Sequence, residues 1–395
     1  MNILFLSLSM FDDVNERGIY SDLMREFIKR GNDVYIASPC ERRFGKPTHL
    51  IENDHCQILK IKTLNIQKAN VIEKGIGTIL IEYQFDRAIQ KYWGNVRFDL
   101  VLYATPPITY NRVIKNVKKR CGCRSFLMLK DIFPQNAVDL GMMREGGILH
   151  KIFKNKEKRL YEISDRIGCM SPANCEYILN NNPELGKSKV GLCPNAIDPV
   201  EIPNLSEEER KEILSKYNIS KDKTLFIYGG NLGKPQGIDF LLKVIEANEQ
   251  QKDRFIIIVG NGTEFPKMKR WFETYRPKYS KLLTALPKAE YDKLVRACDV
   301  GLIFLDSRFT IPNFPSRLLS YLENSMPVLL ATDKNSDMGK IAEENGFGLW
   351  CESGDLKSFI YNMNLITAHI HEMGNRGREF LLKNYTVEKI YEKII

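Results

Sequence analysis

At 395 residues the chain is longer than one hydrophobic core usually organises, so two domains are expected. Hydrophobic residues at 43% and charged residues at 27% exclude a disordered chain, and no run of roughly 18 apolar residues offers a membrane span. The net charge of +9 is unevenly placed: residues 101–159 alone hold 13 basic and 4 acidic side chains, which points to an anionic surface or substrate facing the first domain.

Met1-Asn2 leads directly into residues 3–9, a buried strand rather than a signal peptide, so the expected compartment is the cytoplasm. Gly18 lies in the loop that follows, where the backbone can approach a ligand. Residues 20–29 form a helix whose core stripe is Leu23, Phe27 and Ile28, stopped by Gly31. Further strands are predicted at 33–38, 99–104, 125–129 and 166–170, with helical stretches between them. Tyr103-Ala104-Thr105-Pro106-Pro107 and Asp131-Ile132-Phe133-Pro134 each sit just beyond a strand. An acid such as Asp131 at the carboxyl end of a parallel strand is either functional or a turn former.

Pro194-Asn195-Ala196-Ile197-Asp198-Pro199-Val200-Glu201-Ile202-Pro203 holds three prolines and cannot continue a helix or central strand. The domains are therefore set at 1–198 and 199–381, with a last helix near 382–395 packing back on the first. The second half restarts the alternation, with strands at 224–228, 255–259, 300–304 and 327–331. The reading is an α/β protein of two Rossmann-like domains with parallel sheets facing across a cleft, where ligands bind beyond the carboxyl ends of the strands.

Nine scattered cysteines, with Cys121-Gly-Cys123 the one close pair, fit reduced thiols. The five histidines offer no ligand spacing, so no metal site and no cofactor is expected.

The strongest chemical element is Gly229-Gly230-Asn231-Leu232-Gly233-Lys234-Pro235-Gln236-Gly237, ahead of a helix over 238–247. Glycines let the backbone approach a ligand, the helix start favours negative charge, and Lys234 adds a cation. It is neither a Walker loop nor a dinucleotide fingerprint; a plain helix–strand packing turn is the alternative. Next comes Phe314-Pro315-Ser316-Arg317-Leu318-Leu319-Ser320-Tyr321-Leu322-Glu323. Ser316 is expected as the helix cap and Arg317 at a second anion site. At 100° per residue Ser316, Ser320 and Glu323 share a polar stripe, while Leu318, Leu319 and Leu322 face the core. Glu323 can accept paired hydroxyl hydrogen bonds, as from a ribose. Gly262, in Val259-Gly260-Asn261-Gly262, closes the next strand, and Leu286-Pro287 before a helix over 291–297 can shape a base pocket.

Taken together, these segments resemble the family 4 retaining glycosyltransferases with the GT-B fold, in particular bacterial enzymes of capsule and O-antigen synthesis. The likeness covers nearly the whole chain. It rests on Cys193-Pro194-Asn195-Ala196-Ile197-Asp198, the 229–237 turn, Val259-Gly260-Asn261-Gly262, and Pro315-Ser316-Arg317 leading to Glu323-Asn324-Ser325-Met326-Pro327-Val328. Asp131-Ile132-Phe133-Pro134 is similar to the Asp-x-Trp-Pro segment of the capsule subset. The resemblance implies transfer of a sugar from a nucleotide diphosphate, UDP above all, to a lipid-linked glycan. Glu323 would bind the donor ribose, Lys234 and Arg317 the diphosphate, and Asp131 would orient the acceptor or act as base. It departs from the family at Pro315, where many members carry a Glu, and at Gly230-Asn231 and Gln236-Gly237, where a Gly-Arg and Lys-Gly pair is common.

Metal-independent chemistry is expected if Lys234, Arg317 and the two helix N-termini meet the charge on the diphosphate, and the lack of an Asp-x-Asp pair is consistent with that. The implied partners are a nucleotide sugar, the lipid-linked acceptor and an anionic membrane surface met by the 101–159 stretch, without a hydrophobic anchor. A UDP-sugar epimerase of the same fold is the alternative. Residues 112–124 lack interleaved aromatics, so nucleic-acid binding is not expected.

Overall fold

Strands covered on both faces read as continuous apolar runs, and both sheets are built from such runs. The computed structural model describes residues 1–66 and 71–395, with the backbone alone at 71–76, 78 and 79. The chain divides into two units, Met1–Asp198 with Val387–Ile395, and Pro199–Thr386.

The first unit carries β1 (Asn2–Leu6), β2 (Asp33–Glu41), β3 (His49–Asn53), β4 (Cys56–Thr63), β5 (Leu100–Ala104), β6 (Arg124–Leu129), β7 (Arg166–Cys169) and β8 (Val190–Leu192). They form one sheet in the order β3-β4-β2-β1-β5-β6-β7-β8. All pairings are parallel except the β3–β4 hairpin. Its helices are α1 (Ile19–Lys29), α2 (Val71–Trp93), α3 (Asn111–Cys121), α4 (Gln135–Asp139), α5 (Ile148–Ile163) and α6 (Pro172–Asn181). The core joins Ile3, Phe5, Leu100, Leu102, Phe126 and Met128 from the sheet to Leu23 and Phe27 of α1. Val387, Ile390 and Ile394 complete it, so the terminal helix Val387–Ile394 belongs to the first unit. The return begins at Val387 rather than near 382.

The second unit carries β9 (Thr224–Asn231), β10 (Arg254–Asn261), β11 (Ser280–Leu283), β12 (Val300–Phe304), β13 (Val328–Thr332) and β14 (Gly348–Glu352), all parallel in the order β11-β10-β9-β12-β13-β14. Its helices are α7 (Glu207–Ser215), α8 (Ile238–Asn248), α9 (Phe265–Tyr275), α10 (Lys288–Arg296), α11 (Arg317–Glu323), α12 (Met338–Glu344), α13 (Leu356–Thr367) and α14 (Ile370–Asn384). These are two Rossmann-like parallel-sheet domains. Strand order reverses between β1 and β5 in one sheet and between β9 and β12 in the other, the crevices where doubly wound sheets hold ligands. The second crevice is visible in the ladder itself. β9 stays paired with β10 as far as Asn231 and Asn261, but its pairing with β12 ends at Ile227 and Gly301.

Candidate functional site

Where β9 and β12 part, a side chain takes over the ladder. The buried Tyr321, on α11, places its hydroxyl to accept from the Gly229 N–H at 3.3 Å, with the carbonyls of Ile227 at 3.1 Å and Leu302 at 3.4 Å around its proton. Tyr291 of α10 lies on the other side, and a Cβ at Gly229 would overlap its hydroxyl. Burial pushes the Tyr321 phenol up to about 12 and raises those of Tyr228 and Tyr291, so all three stay neutral at ordinary pH.

Arg317 enters this neutral setting. Its guanidinium lies 4.2 Å from the Tyr228 ring centroid, a cation–π contact. Gly230 has φ +131°, and a Cβ there would meet the guanidinium at 3.3–3.4 Å. Glycine thus serves twice, by allowing the backbone angle and by letting the cation come up beneath the turn. The Arg317 Nη1 atom is buried without a hydrogen-bond partner, and Arg317 has no carboxylate partner among the described residues. The cation thus faces an exposed glycine peptide, with no counter-charge among the described residues.

Around it the expected residues fall into different roles. Ser316 occupies the position before α11 but makes no side-chain cap bond, which corrects the expected cap; its backbone there is already helical. α11 spans only seven residues, so the positive charge at this end comes from the Arg317 side chain. Leu318, Leu319 and Leu322 are buried as the stripe requires, and Ser320 is half-buried. Glu323 is buried too, at 8% exposure, and its Oε1 accepts from the Val200 N–H at 3.1 Å. Arg378 of α14 donates to the carbonyls of Glu323 (3.1 Å) and Val200 (2.8 Å), so the carboxylate and Arg378 together fix residue 200.

The glycine turn is braced from within: Gln236 Oε1 accepts from Asn231 Nδ2 and from the Gly233 N–H, both at 3.1 Å. Gly262 packs closely on the glycine turn, and a Cβ there would collide with the Leu232 backbone. Pro287 precedes α10, its carbonyl accepting from the N–H groups of Glu290 and Tyr291. Lys234 is exposed, makes no ion pair among the described residues, and lines a cleft of about 390 Å³ with Lys243, Arg308 and Asp306. Neither Gly230 nor Arg317 lines that cleft, so the two cations lie at different parts of the glycine segment, Arg317 beneath Gly230 and Lys234 four positions on.

In the first unit the crevice between β1 and β5 is a cavity of about 130 Å³ lined by Ser7, Leu8, Ser9, Tyr20, Ala104, Thr105 and Pro106. Asp131 follows the neighbouring strand. Thr105 Oγ1 accepts from the Lys130 and Asp131 N–H groups at 3.0 and 3.1 Å and faces the Asp131 carbonyl at 3.0 Å, which ties the acid's backbone to the cavity wall. Asn136 Nδ2 reaches both carboxylate oxygens at 2.8 and 2.7 Å, yet burial prevails and pushes the carboxyl up to about 6. Gly18 does not offer its amide to a ligand. Its N–H donates to Asp22 Oδ1 at 2.9 Å, and Asp22 also pairs with Arg25 and accepts from the Asp198 N–H.

Sequence reasoning placed the glycine turn, Lys234, Arg317 and Glu323 but passed over Tyr228, Tyr291 and Tyr321. Only Gly229 next to Gly230, a pair with no side-chain volume beside two bulky residues, carried a hint of them.

Among the described residues no group of three or more His, Cys, Asp or Glu could hold a metal, and no helix is long and apolar enough to cross a membrane.

Comparison with known proteins bears on the fold. Residues 209–379, within the second unit, match the family model for glycosyl transferases group 1. A probable glycosyltransferase, WbjE of Pseudomonas aeruginosa, is 23% identical over 291 residues, covering 73% of this chain and 72% of that one. Sucrose-phosphate synthase from Thermosynechococcus elongatus superposes with a TM-score of 0.74 at 15% identity, over 99% of this chain and 96% of that one. Anabaena HepE, solved in complex with UDP, gives 0.68 at 13% identity over 100% and 98%. At these identities the likeness establishes the fold alone, a GT-B fold with two Rossmann-like domains.

Proposed function

We propose that the protein is a family 4 retaining glycosyltransferase that moves a sugar from a UDP-type donor to a lipid-linked glycan in capsule, O-antigen or exopolysaccharide synthesis. The observation that carries this reading is Arg317, a cation without a carboxylate partner, with one nitrogen buried and unbonded, beneath Gly230 at the strand-order reversal. That HepE holds UDP and, in another structure, UDP-glucose on the same fold supports the choice of ligand.

In this mechanism the bond from the sugar's anomeric carbon to the diphosphate breaks and the bond to the acceptor oxygen forms on the same face. The acceptor proton passes to the departing donor phosphate. Negative charge grows on the diphosphate, and Arg317 and Lys234 meet it, which is the work a divalent cation would otherwise do. Metal-independent turnover is therefore part of the proposal. Glu323 would present its carboxylate to the ribose hydroxyls while still holding Val200. Asp131 would orient the acceptor or take part as base from beside the β1–β5 cavity, whose Thr105 holds its backbone. With a lipid-linked acceptor, the site of action is the cytoplasmic face of a membrane.

Thermal unfolding with a panel of nucleotide sugars is the test. UDP-sugars should raise the melting temperature in a concentration-dependent way, by about 2.7 kcal/mol of stabilisation at a hundredfold excess over Kd. A panel without effect contradicts the reading. Conversion of a UDP-sugar to its epimer without any acceptor would replace transfer by epimerisation.

A further inference from the structure

The 101–159 stretch was read above as a basic surface without an apolar anchor, and the structure exposes an apolar cluster within it. Ile148 is 80% exposed, Leu149 62%, Ile152 50% and Met142 63%. Three of these occupy the first two turns of α5. At 100° per residue Ile148 and Ile152 point away from the buried Glu157, Leu160 and Tyr161, so this face is unpartnered by design of the sequence rather than by fraying. A cluster of large aliphatic side chains standing in water marks a surface that meets another apolar phase.

Its surroundings are cationic. Arg144 precedes the helix and Lys151 lies between the apolar residues; both are exposed and without an ion pair among the described residues, with Glu145 the neighbouring acid. α3 packs along α5, tied by Asn111 Nδ2 to the Lys156 carbonyl at 3.1 Å, and adds the exposed Lys115 and Lys119. Other bases of the stretch are neutralised locally: Lys118 by Asp165, Lys154 by Glu157, Lys156 by Glu82 and Lys158 by Glu184. Among the described residues, Arg144 and Lys151 are thus the unpaired cations at the apolar turn itself, whereas Lys115 and Lys119 lie toward the far end of α5, where Lys118 reaches the Ile163 carbonyl.

The patch is also coupled to the acceptor-side acid. Phe153, on the inward face of the same helix, packs edge-to-face on Phe133 with ring centroids 5.0 Å apart. Phe133 lies two residues after Asp131, and the Met142 N–H donates to the Ala137 carbonyl at 2.8 Å, which closes the intervening loop back on α4. Residues 131–152 form one continuous device with an acid at one end and an apolar, cation-flanked helix at the other.

We propose that the exposed turn of α5, with Ile148, Leu149, Ile152 and Met142, inserts into an anionic lipid bilayer, with Arg144 and Lys151 seated at the headgroups. The inference rests on the lipid-linked acceptor reading. It adds the element that reaches the membrane and the reason that Asp131 lies near it. An amphipathic helix held this way binds reversibly, by apolar burial plus attraction of its cations to anionic lipid.

The experiment is co-sedimentation of the full chain with phosphatidylcholine vesicles, with and without phosphatidylglycerol, at low and high salt. The wild type should bind the anionic vesicles and keep part of that binding at high salt. The variant Ile148→Ser/Leu149→Ser/Ile152→Ser removes only exposed side chains, so it should fold; it should lose at least about tenfold in partitioning at either salt. Lys151→Glu should weaken binding at low salt and change it little at high salt. Calorimetric titration of UDP into both proteins separates the two readings, because the serine variant should keep the wild-type affinity. Equal sedimentation of wild type and serine variant overturns the proposal. So does a wild-type dimer that becomes a monomer in the serine variant, since the patch would then belong to a second copy. Loss of UDP binding in the wild type with vesicle binding intact would count against the transferase and not against the anchor.

Discussion

Because Glu323 accepts from the Val200 N–H, changing it to Ala would both remove a charge and strand a donor, a cost of about 1–3 kcal/mol if that donor stays buried. Glu323→Gln separates the two effects. Its amide oxygen can still accept from Val200, so the melting temperature should stay within about a degree or two while UDP affinity falls roughly tenfold. Unchanged affinity by calorimetry would remove Glu323 from the nucleotide site. Asp131 gives a second prediction at this scale. Burial raises its carboxyl to about 6, so if it serves ionised, kcat/KM should rise with pH through about 6 and level off above, and Asp131→Asn should abolish that step. The linkage has a definite sign. A raised carboxyl holds its proton more tightly folded than unfolded, so its stabilisation is full at low pH and is lost as pH rises through about 6. Asp131→Asn should therefore be no less stable than wild type at neutral pH while being less active.

At the scale of the element, the unit to consider is β9, its glycine turn and α11 as one construction. Tyr321 replaces part of the missing β9–β12 ladder, and Arg317 on the next turn of the same helix is thereby set under Gly230. An unpaired buried cation costs folding free energy, and removing it without leaving a cavity is neutral or stabilising. Arg317→Met should therefore unfold at the same or higher urea concentration while losing nucleotide binding by about tenfold or more. A variant that loses stability along with binding would show instead that Arg317 is a structural residue.

Legibility from sequence follows the same logic. The start of β9, the α8 helix and the glycine segment were readable because glycines and an apolar run mark them locally, but β9 continues past the expected 228 to Asn231 before the chain turns. The β3–β4 hairpin was not. Asn53 pairs with Cys56, leaving Asp54-His55 as the loop, and His55 adopts φ 57° without a glycine to announce it. The short edge strands β11 and β14 carried too little apolar length. Tyr228, Tyr291 and Tyr321 stood on three separate elements whose proximity is purely tertiary, so no spacing could reveal them.

At the scale of the whole molecule, the chain's last segment is needed by its first. Val387, Ile390 and Ile394 are each 2% exposed in the core of the first unit. At about 1.5–3 kcal/mol per buried aliphatic side chain, their loss approaches the about 5–15 kcal/mol that a whole domain has to spare. A protein ending at Thr386 should show a first-unit unfolding transition at markedly lower urea, followed by circular dichroism; an unchanged curve would mean that the helix only decorates the surface. Residues 199–386 contain every group placed around the glycine turn, so UDP binding should outlast that first transition.

The central claim is that Arg317 and the turn at Gly229-Gly230 form a nucleotide diphosphate site, and calorimetric titration of UDP into wild type, Arg317→Met and Glu323→Gln tests it most directly. Saturable binding at one site is expected in the wild type, weakened in both variants while their melting temperatures hold. Absence of binding in the wild type, or equal affinity in all three proteins, would contradict it.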